Sequence, residues 1–210
     1  MENILFLFIA LFTISTASAQ VNSYYQKAND AYDAGNNVEA RKWYRKAAEL
    51  GHADAQYNFA LYCIVDKNYT EAAKWLKKSA DQGHIEAQFN YAVCYNKGLG
   101  VSQNYTEAAK WLRKAAEQEY TEAQYQLGLC YWDGNGVSKN HTEAAKWYRK
   151  AAEKGHASAQ CNLGICYGTG SGVPQDYNEA IKWYTKSAKQ GNKNAKSLLN
   201  LLENAGISTK

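Results

Sequence analysis

Asn104-Tyr-Thr-Glu-Ala-Ala-Lys-Trp-Leu-Arg-Lys-Ala-Ala-Glu117 decides the architecture of this 210-residue chain. Its Trp111 stands 36 residues after Trp75 and 36 before Trp147, and Trp183 follows after another 36. Trp43 lies 32 residues ahead of Trp75. A fixed period of this length marks an array of helical repeats. Within the stretch, Ala108, Trp111, Leu112, Ala115 and Ala116 recur at helical spacing and define one apolar face. Lys110, Arg113, Lys114 and Glu117 fall mostly on the other. Asn104 stands three residues before Glu107, the pattern of a capping box. Asn36 and Glu39, Asn68 and Glu71, Asn140 and Glu143, and Asp176 and Glu179 repeat that pattern. Gly51, Gly83, Gly155 and Gly191 close these helices, where a left-handed residue is expected. Glu119 takes that place once and predicts a less favourable helix end.

Each tryptophan helix is preceded by another. Its marks are Ala87, Tyr91, Cys94 and Tyr95, then Ala123, Leu127, Cys130 and Tyr131, then Ala159, Leu163, Cys166 and Tyr167. Gly128 and Gly164 sit in mid-helix, where glycine costs about 1 kcal/mol relative to alanine. Ala60 and Ala92 hold the equivalent positions, so a residue restricted to Gly or Ala predicts close helix–helix approach. The tryptophans Trp43, Trp75, Trp111, Trp147 and Trp183 supply large buried area nearby. The helices are joined by Gly98-Leu-Gly100-Val101, Gly134-Asn-Gly136-Val137 and Gly170-Ser-Gly172-Val173. Ile64 to Lys67 is a shorter connection, and this deletion accounts for the 32-residue interval. The reading is an all-α, α/α solenoid of stacked antiparallel helix pairs. Its units are about 20–51, 52–83, 84–119, 120–155 and 156–191. A capping helix, 192–206, and a tail, 207–210, complete it.

Residues 1–19 stand apart. Ile4 to Ile14 is apolar and is followed by Ala17-Ser-Ala19, the form of a secretory signal peptide cut after Ala19. Secreted or periplasmic localisation is the corresponding expectation. No later segment is apolar enough to span a membrane. The net charge of +4, or +5 without the leader, does not imply nucleic acid.

Ala157-Ser-Ala-Gln160, Leu163-Gly-x-x-Tyr167, Gly170-x-Gly-Val173 and Glu179-Ala-x-Lys-Trp-Tyr-x-Lys together resemble the Sel1-like repeat, a longer relative of the tetratricopeptide repeat. The resemblance recurs over about residues 24–206. It implies a right-handed superhelix that serves as an adaptor for other proteins, often an exported one. Some cysteine-rich members carry a β-lactamase or penicillin-binding label, so a hydrolase is an alternative. This chain has no Ser-x-x-Lys, Gly-x-Ser-x-Gly or His-Glu-x-x-His to support one. The paired cysteines of those members are also missing. Cys63, Cys94, Cys130, Cys161 and Cys166 are expected as free, buried thiols.

The chemistry-bearing residues favour a non-enzymatic scaffold without cofactor or metal. His52, His84 and His156 occur one per unit, with no second ligand nearby. The candidate binding face is on the first helices, which line the concave side of such an array. Its residues are Tyr57, Asn58, Phe89, Asn90, Tyr125, Gln126 and Asn162, beside Cys161. Their amides suit an extended peptide backbone, and their aromatics either anchor a partner or pack between repeats. Lys74, Lys110, Lys146 and Lys182 form a second ladder, either a solvated face or a site for an anionic polymer. The expected partner is a protein or peptide, and the expected state is a monomer.

Overall fold

In the computed structural model the capping residues start helices where the sequence puts them. The structure describes the backbone of residues 2–207 and the side chains of residues 18–207. The helices are α1 (Glu2–Asp33), α2 (Asn37–Glu49), α3 (Ala53–Val65), α4 (Tyr69–Asp81), α5 (Ile85–Lys97) and α6 (Tyr105–Glu117). They continue as α7 (Thr121–Asp133), α8 (His141–Glu153), α9 (Ala157–Thr169), α10 (Tyr177–Lys189) and α11 (Lys193–Asn204). There are no strands among the described residues. The expected leader, residues 1–19, lies almost wholly outside the described side chains. Among the described residues no helix is long and apolar enough to cross a membrane.

The chain divides into two compact units within residues 95–102. In the first, α1 packs on α2, α2 on α3 and α3 on α4. In the second, each helix from α6 to α11 packs on the next. Each unit is therefore built from consecutive helix pairs, as the all-α repeat reading expects.

The Asn104 Oδ1 accepts the Glu107 N–H at 3.1 Å, and Asn36, Asn68, Asn140 and Asp176 cap their helices in the same way. The reciprocal half of the capping box is not formed. The Asn104 N–H donates to the Tyr95 carbonyl at 3.0 Å, and the Asn140 N–H to Tyr131 at 2.8 Å. With that donor satisfied, each cap glutamate turns to the lysine one turn on. Glu107 holds Lys110 at 2.6 Å, Glu143 holds Lys146 at 2.6 Å and Glu179 holds Lys182 at 2.8 Å.

Buried glutamines fix each first helix to the helix before it. Gln56, Gln88, Gln124 and Gln160 donate through Nε2 to the carbonyls of Ala48, Ala80, Ala116 and Ala152. These carbonyls lie in last turns, where no intrahelical partner remains. The Ala-x-Ala-Gln signature is thus a side-chain clasp on a helix end. The Gly-x-Gly-Val loop adds a second tie. A Cβ on Gly136 would collide with the Tyr105 carbonyl at the start of α6, so only glycine lets the backbones meet.

The mid-helix glycines admit both a neighbouring helix and a ring, and at Gly128 a Cβ would also stand 3.4 Å from the Ala144 carbonyl of α8. A Cβ at Gly128 would lie 2.6 Å from Cδ1 and Cε1 of Tyr148, and one at Gly164 would lie 2.5 Å from Cε1 of Tyr184. Tyrosine rings fill the space that glycine leaves. Where the position is Ala60, the repeat-equivalent of that tyrosine is Leu76. The tryptophans Trp75, Trp111 and Trp183 are buried, and Trp43 and Trp147 half-buried. In every case the lysine one turn later covers the ring: Lys114 Nζ is 3.7 Å from the Trp111 ring centre, and Lys78 is 4.2 Å from that of Trp75.

Candidate functional site

The two units differ most on the first-helix side. In the first unit, α1, α2 and α3 leave an open groove of about 720 Å3. Asn29 and Tyr32 come from α1, Asn37 and Tyr44 from α2, and Asn58, Leu61, Tyr62 and Val65 from α3. Asn37 begins α2, so helix entry presents its amide at the mouth. Tyr32, Leu61 and Val65 are 58%, 36% and 79% exposed, an apolar group on a face that ordinary amphipathic patterning would make polar.

Two phenols orient two of the amides. Tyr44 donates to Asn29 Oδ1 at 2.8 Å, and Tyr62 donates to Asn37 Oδ1 at 3.3 Å. Burial pushes the Tyr44 phenol up to about 12 and raises that of Tyr62. Both hydroxyls therefore stay protonated and act as donors. With its oxygen engaged, the Asn37 amide has N–H groups left to offer. Asn58 and Asn29 also flank the Tyr25 hydroxyl, which burial raises and these amides lower.

The second unit has a tighter counterpart of about 120 Å3, lined by Leu129, Trp132, Tyr148, Asn162 and Ile165. Trp132 stacks on His141 at 4.4 Å. The Tyr148 hydroxyl is buried and has no hydrogen-bond partner. Burial raises its phenol, and Asn162 is close enough to oppose this without meeting hydrogen-bond geometry.

Of the residues singled out from sequence, Asn58 lines the first groove and Asn162 the second. Tyr57 stacks on His84 at 4.6 Å and Tyr125 on His156 at 4.5 Å, so both rings pack between repeats. Asn90 donates to the Tyr57 hydroxyl at 3.3 Å. Gln126 is spent on Glu122 of its own helix at 2.9 Å. Phe89 is half-buried and Cys161 buried. Asn29, Tyr32, Asn37, Tyr44, Leu61, Tyr62 and Val65 were not anticipated. The available signal was α3 itself, whose Leu61, Tyr62 and Val65 exceed what one core-facing stripe can bury.

Three of the four histidines are helix caps. Nδ1 of His52, His84 and His156 accepts the N–H three residues on, at 3.4, 3.2 and 3.1 Å. Asn192 does the same for α11 at 3.1 Å. No group of His, Cys, Asp and Glu among the described residues is placed to hold a metal. All five cysteines carry free thiols. The lysine ladder carries its own counter-charges, since Lys74, Lys110, Lys146 and Lys182 each face the cap glutamate one turn back.

The family model described as Sel1 repeat matches residues 85–120, 121–156 and 157–192. A tetratricopeptide repeat model matches residues 25–85. Among solved structures, a Sel1 repeat protein from Oxalobacter formigenes is 37% identical, with a TM-score of 0.77 over 90% of this chain and 79% of that one. The c5321 protein, a protective antigen of uropathogenic Escherichia coli with an SLR fold, is 30% identical, with a TM-score of 0.84 over 95% of this chain. This chain spans 44% of that antigen's length. YrrB, a TPR protein with an unusual peptide-binding site, shares the fold at a TM-score of 0.56 and 24% identity, over 83% of this chain and 89% of its own. A search of curated protein sequences finds no match.

Proposed function

The chain belongs to the Sel1 repeat family, and we propose that it is a non-enzymatic scaffold that binds another protein through the first-unit groove and acts outside the cytoplasm. One observation carries the binding site. The groove bounded by α1, α2 and α3 is open, holds oriented amides and shows an exposed apolar wall of Tyr32, Leu61 and Val65. A wall of this kind on a water-facing side is the usual mark of a partner site. The peptide-binding site in the description of YrrB is in keeping with this reading, which rests on the groove's own chemistry. Export rests on the apolar run Ile4–Ile14 and the Ala17-Ser-Ala19 sequence that follows.

The first-helix amides assigned from sequence divide under this reading. Asn58 belongs to the site, and Asn90 and Gln126 serve the framework. The pairing of the lysine ladder with cap glutamates weighs against an anionic polymer, because the surface there alternates in sign.

Cross-linking followed by capture from native extracts tests the assignment. The wild-type chain is expected to retain a partner that Leu61→Asp and Asn58→Ala variants lose, with helical content unchanged. Equal capture by all three proteins would remove the groove from the function. N-terminal sequencing of exported protein should give Gln20, and Met1 would overturn the export reading.

A further inference from the structure

We infer that the first-unit groove takes an uncharged, extended segment from within its partner's chain, seated by one large aliphatic or aromatic side chain. This deepens the scaffold reading and rests on it. Three observations converge on that ligand chemistry.

The first is charge. None of the eight side chains lining the groove is ionic. Nearby Arg41 is bound to Asp66 at 2.6 Å, which leaves no unpaired cation there for a carboxylate or phosphate. Asp33 contributes to the field at Tyr44, and Arg41 to that at Tyr62, in opposite senses. A chain end or an acidic tail would lose hydration without gaining a partner charge, which is a costly exchange.

The second is polarity. Tyr44 and Tyr62 hold the oxygens of Asn29 and Asn37. Asn29 and Asn58 share their amides with the Tyr25 hydroxyl, and the Asn37 N–H groups complement acceptors, which a neutral peptide supplies as its carbonyls. The third is shape. Asn58 to Val65 runs about 10 Å along α3, the length of about three extended residues. Tyr32, Leu61 and Val65 form an apolar wall at one end of that run, suited to a single large side chain. The volume lies within the roughly 300–1,000 Å3 of ordinary ligand clefts.

The test uses the full chain, isotope-labelled for NMR, and capped heptapeptides of Ser, Thr and Gly with one central residue. With Leu, Phe or Trp at the centre, the peptides should shift the side-chain amides of Asn37 and Asn58 and the methyls of Leu61 and Val65. The affinity should change less than twofold between 50 and 500 mM salt. Leu61→Asp with Val65→Asp, both on exposed positions, should weaken binding at least tenfold and leave the far-ultraviolet spectrum unchanged. A peptide with central Glu, or an uncapped carboxylate at its end, should bind at least tenfold less well. Shifts at these residues that are as strong with the charged peptides, or that fade with salt, would overturn the inferred chemistry. Failure of every neutral peptide to shift them would overturn it as well. Neither failure touches the scaffold reading if the Leu61→Asp variant still loses its captured partner.

Discussion

Replacing Gly128 by alanine sets two effects against each other, and the structure decides the sign. In a solvated helix interior the change gains about 1 kcal/mol from propensity. Here the new Cβ would sit 2.6 Å from two ring carbons of Tyr148, whose side chain is 1% exposed. Carbon atoms in contact prefer about 3.5–4.0 Å, so the ring must retreat by about 1 Å within a filled core. Overpacking of this kind costs about 1–3 kcal/mol. The net expectation for Gly128→Ala is destabilisation by about 1 kcal/mol, despite the better helix former. Tyr148→Leu alone leaves a void and should cost about 2 kcal/mol, by comparison with other large-to-small core changes. The double variant rebuilds the combination found at Ala60 and Leu76. It should therefore be more stable than the sum of the single changes by at least about 1 kcal/mol. Urea unfolding followed by circular dichroism reads all three. A higher midpoint for Gly128→Ala, or strict additivity in the double variant, would refute the ring-in-notch account.

Other expectations follow from particular contacts. Glu119 holds a positive φ of 67° where other units have glycine, and Lys154 binds both its carboxylate and its carbonyl. Elsewhere Gln82 and Gln190 occupy the lysine's place and reach Gln56 and Gln160, whereas the Gln124 Oε1 has no partner. Glu119→Gly with Lys154→Gln should raise Tm more than either change alone; a lower Tm for the pair would contradict this. Burial lowers the His52 pKa, opposed by Asp54, while Tyr25 stacks on the ring. The folded state thus binds its proton less readily than the unfolded state, so the stabilisation is present above the unfolded pKa near 6.5. It is lost as pH falls through the lower folded value. His52→Asn, which copies the Asn192 cap, should flatten that loss in pH-dependent unfolding; an unchanged slope would count against it. Burial pushes Cys94 and Cys130 to about 11 and Cys166 to about 12, so at pH 7.5 a thiol reagent should modify these three slowly in native protein. Urea should release five reactive thiols, and a lower count would show a bridge.

The framework was legible because it is made by local spacing. Asn104 caps three residues on, Trp111 and Ala115 share a face, and the positive φ at Glu119 stands where the glycine is missing. What sequence left out depends on partners far along the chain. The capping-box pattern does not tell that its reciprocal bond is absent, because the Tyr95 carbonyl that takes the Asn104 N–H belongs to the preceding helix. The Gly-or-Ala restriction at Gly128 implies close helix approach, which the Ala144 carbonyl bears out, but the ring 20 residues away that fills the notch has no local signal. The groove was the hardest part to foresee. Tyr44 and Asn37 belong to a tryptophan-bearing helix that looks like pure framework, and only the fold sets them opposite Asn58. Tyr57 and Tyr125 look like anchors because nothing local reveals the histidine that each ring meets.

The glutamine clasps have an implication for how such a protein changes length. Within the second unit, Gln124 and Gln160 each grip the helix immediately before their own. The ring of ties closes over one period and then starts again. Excising residues 121–156 would offer Gln160 the same Ala116 carbonyl that Gln124 now holds, and would bring Gln190 into the role of Lys154. A cut that ended inside a helix pair would bury an amide with nothing to grip. The molecule is thus built in whole helix pairs, and gene duplication or loss can lengthen or shorten it by such a pair, while the connection inside a pair can change length, as the 32-residue interval between Trp43 and Trp75 shows.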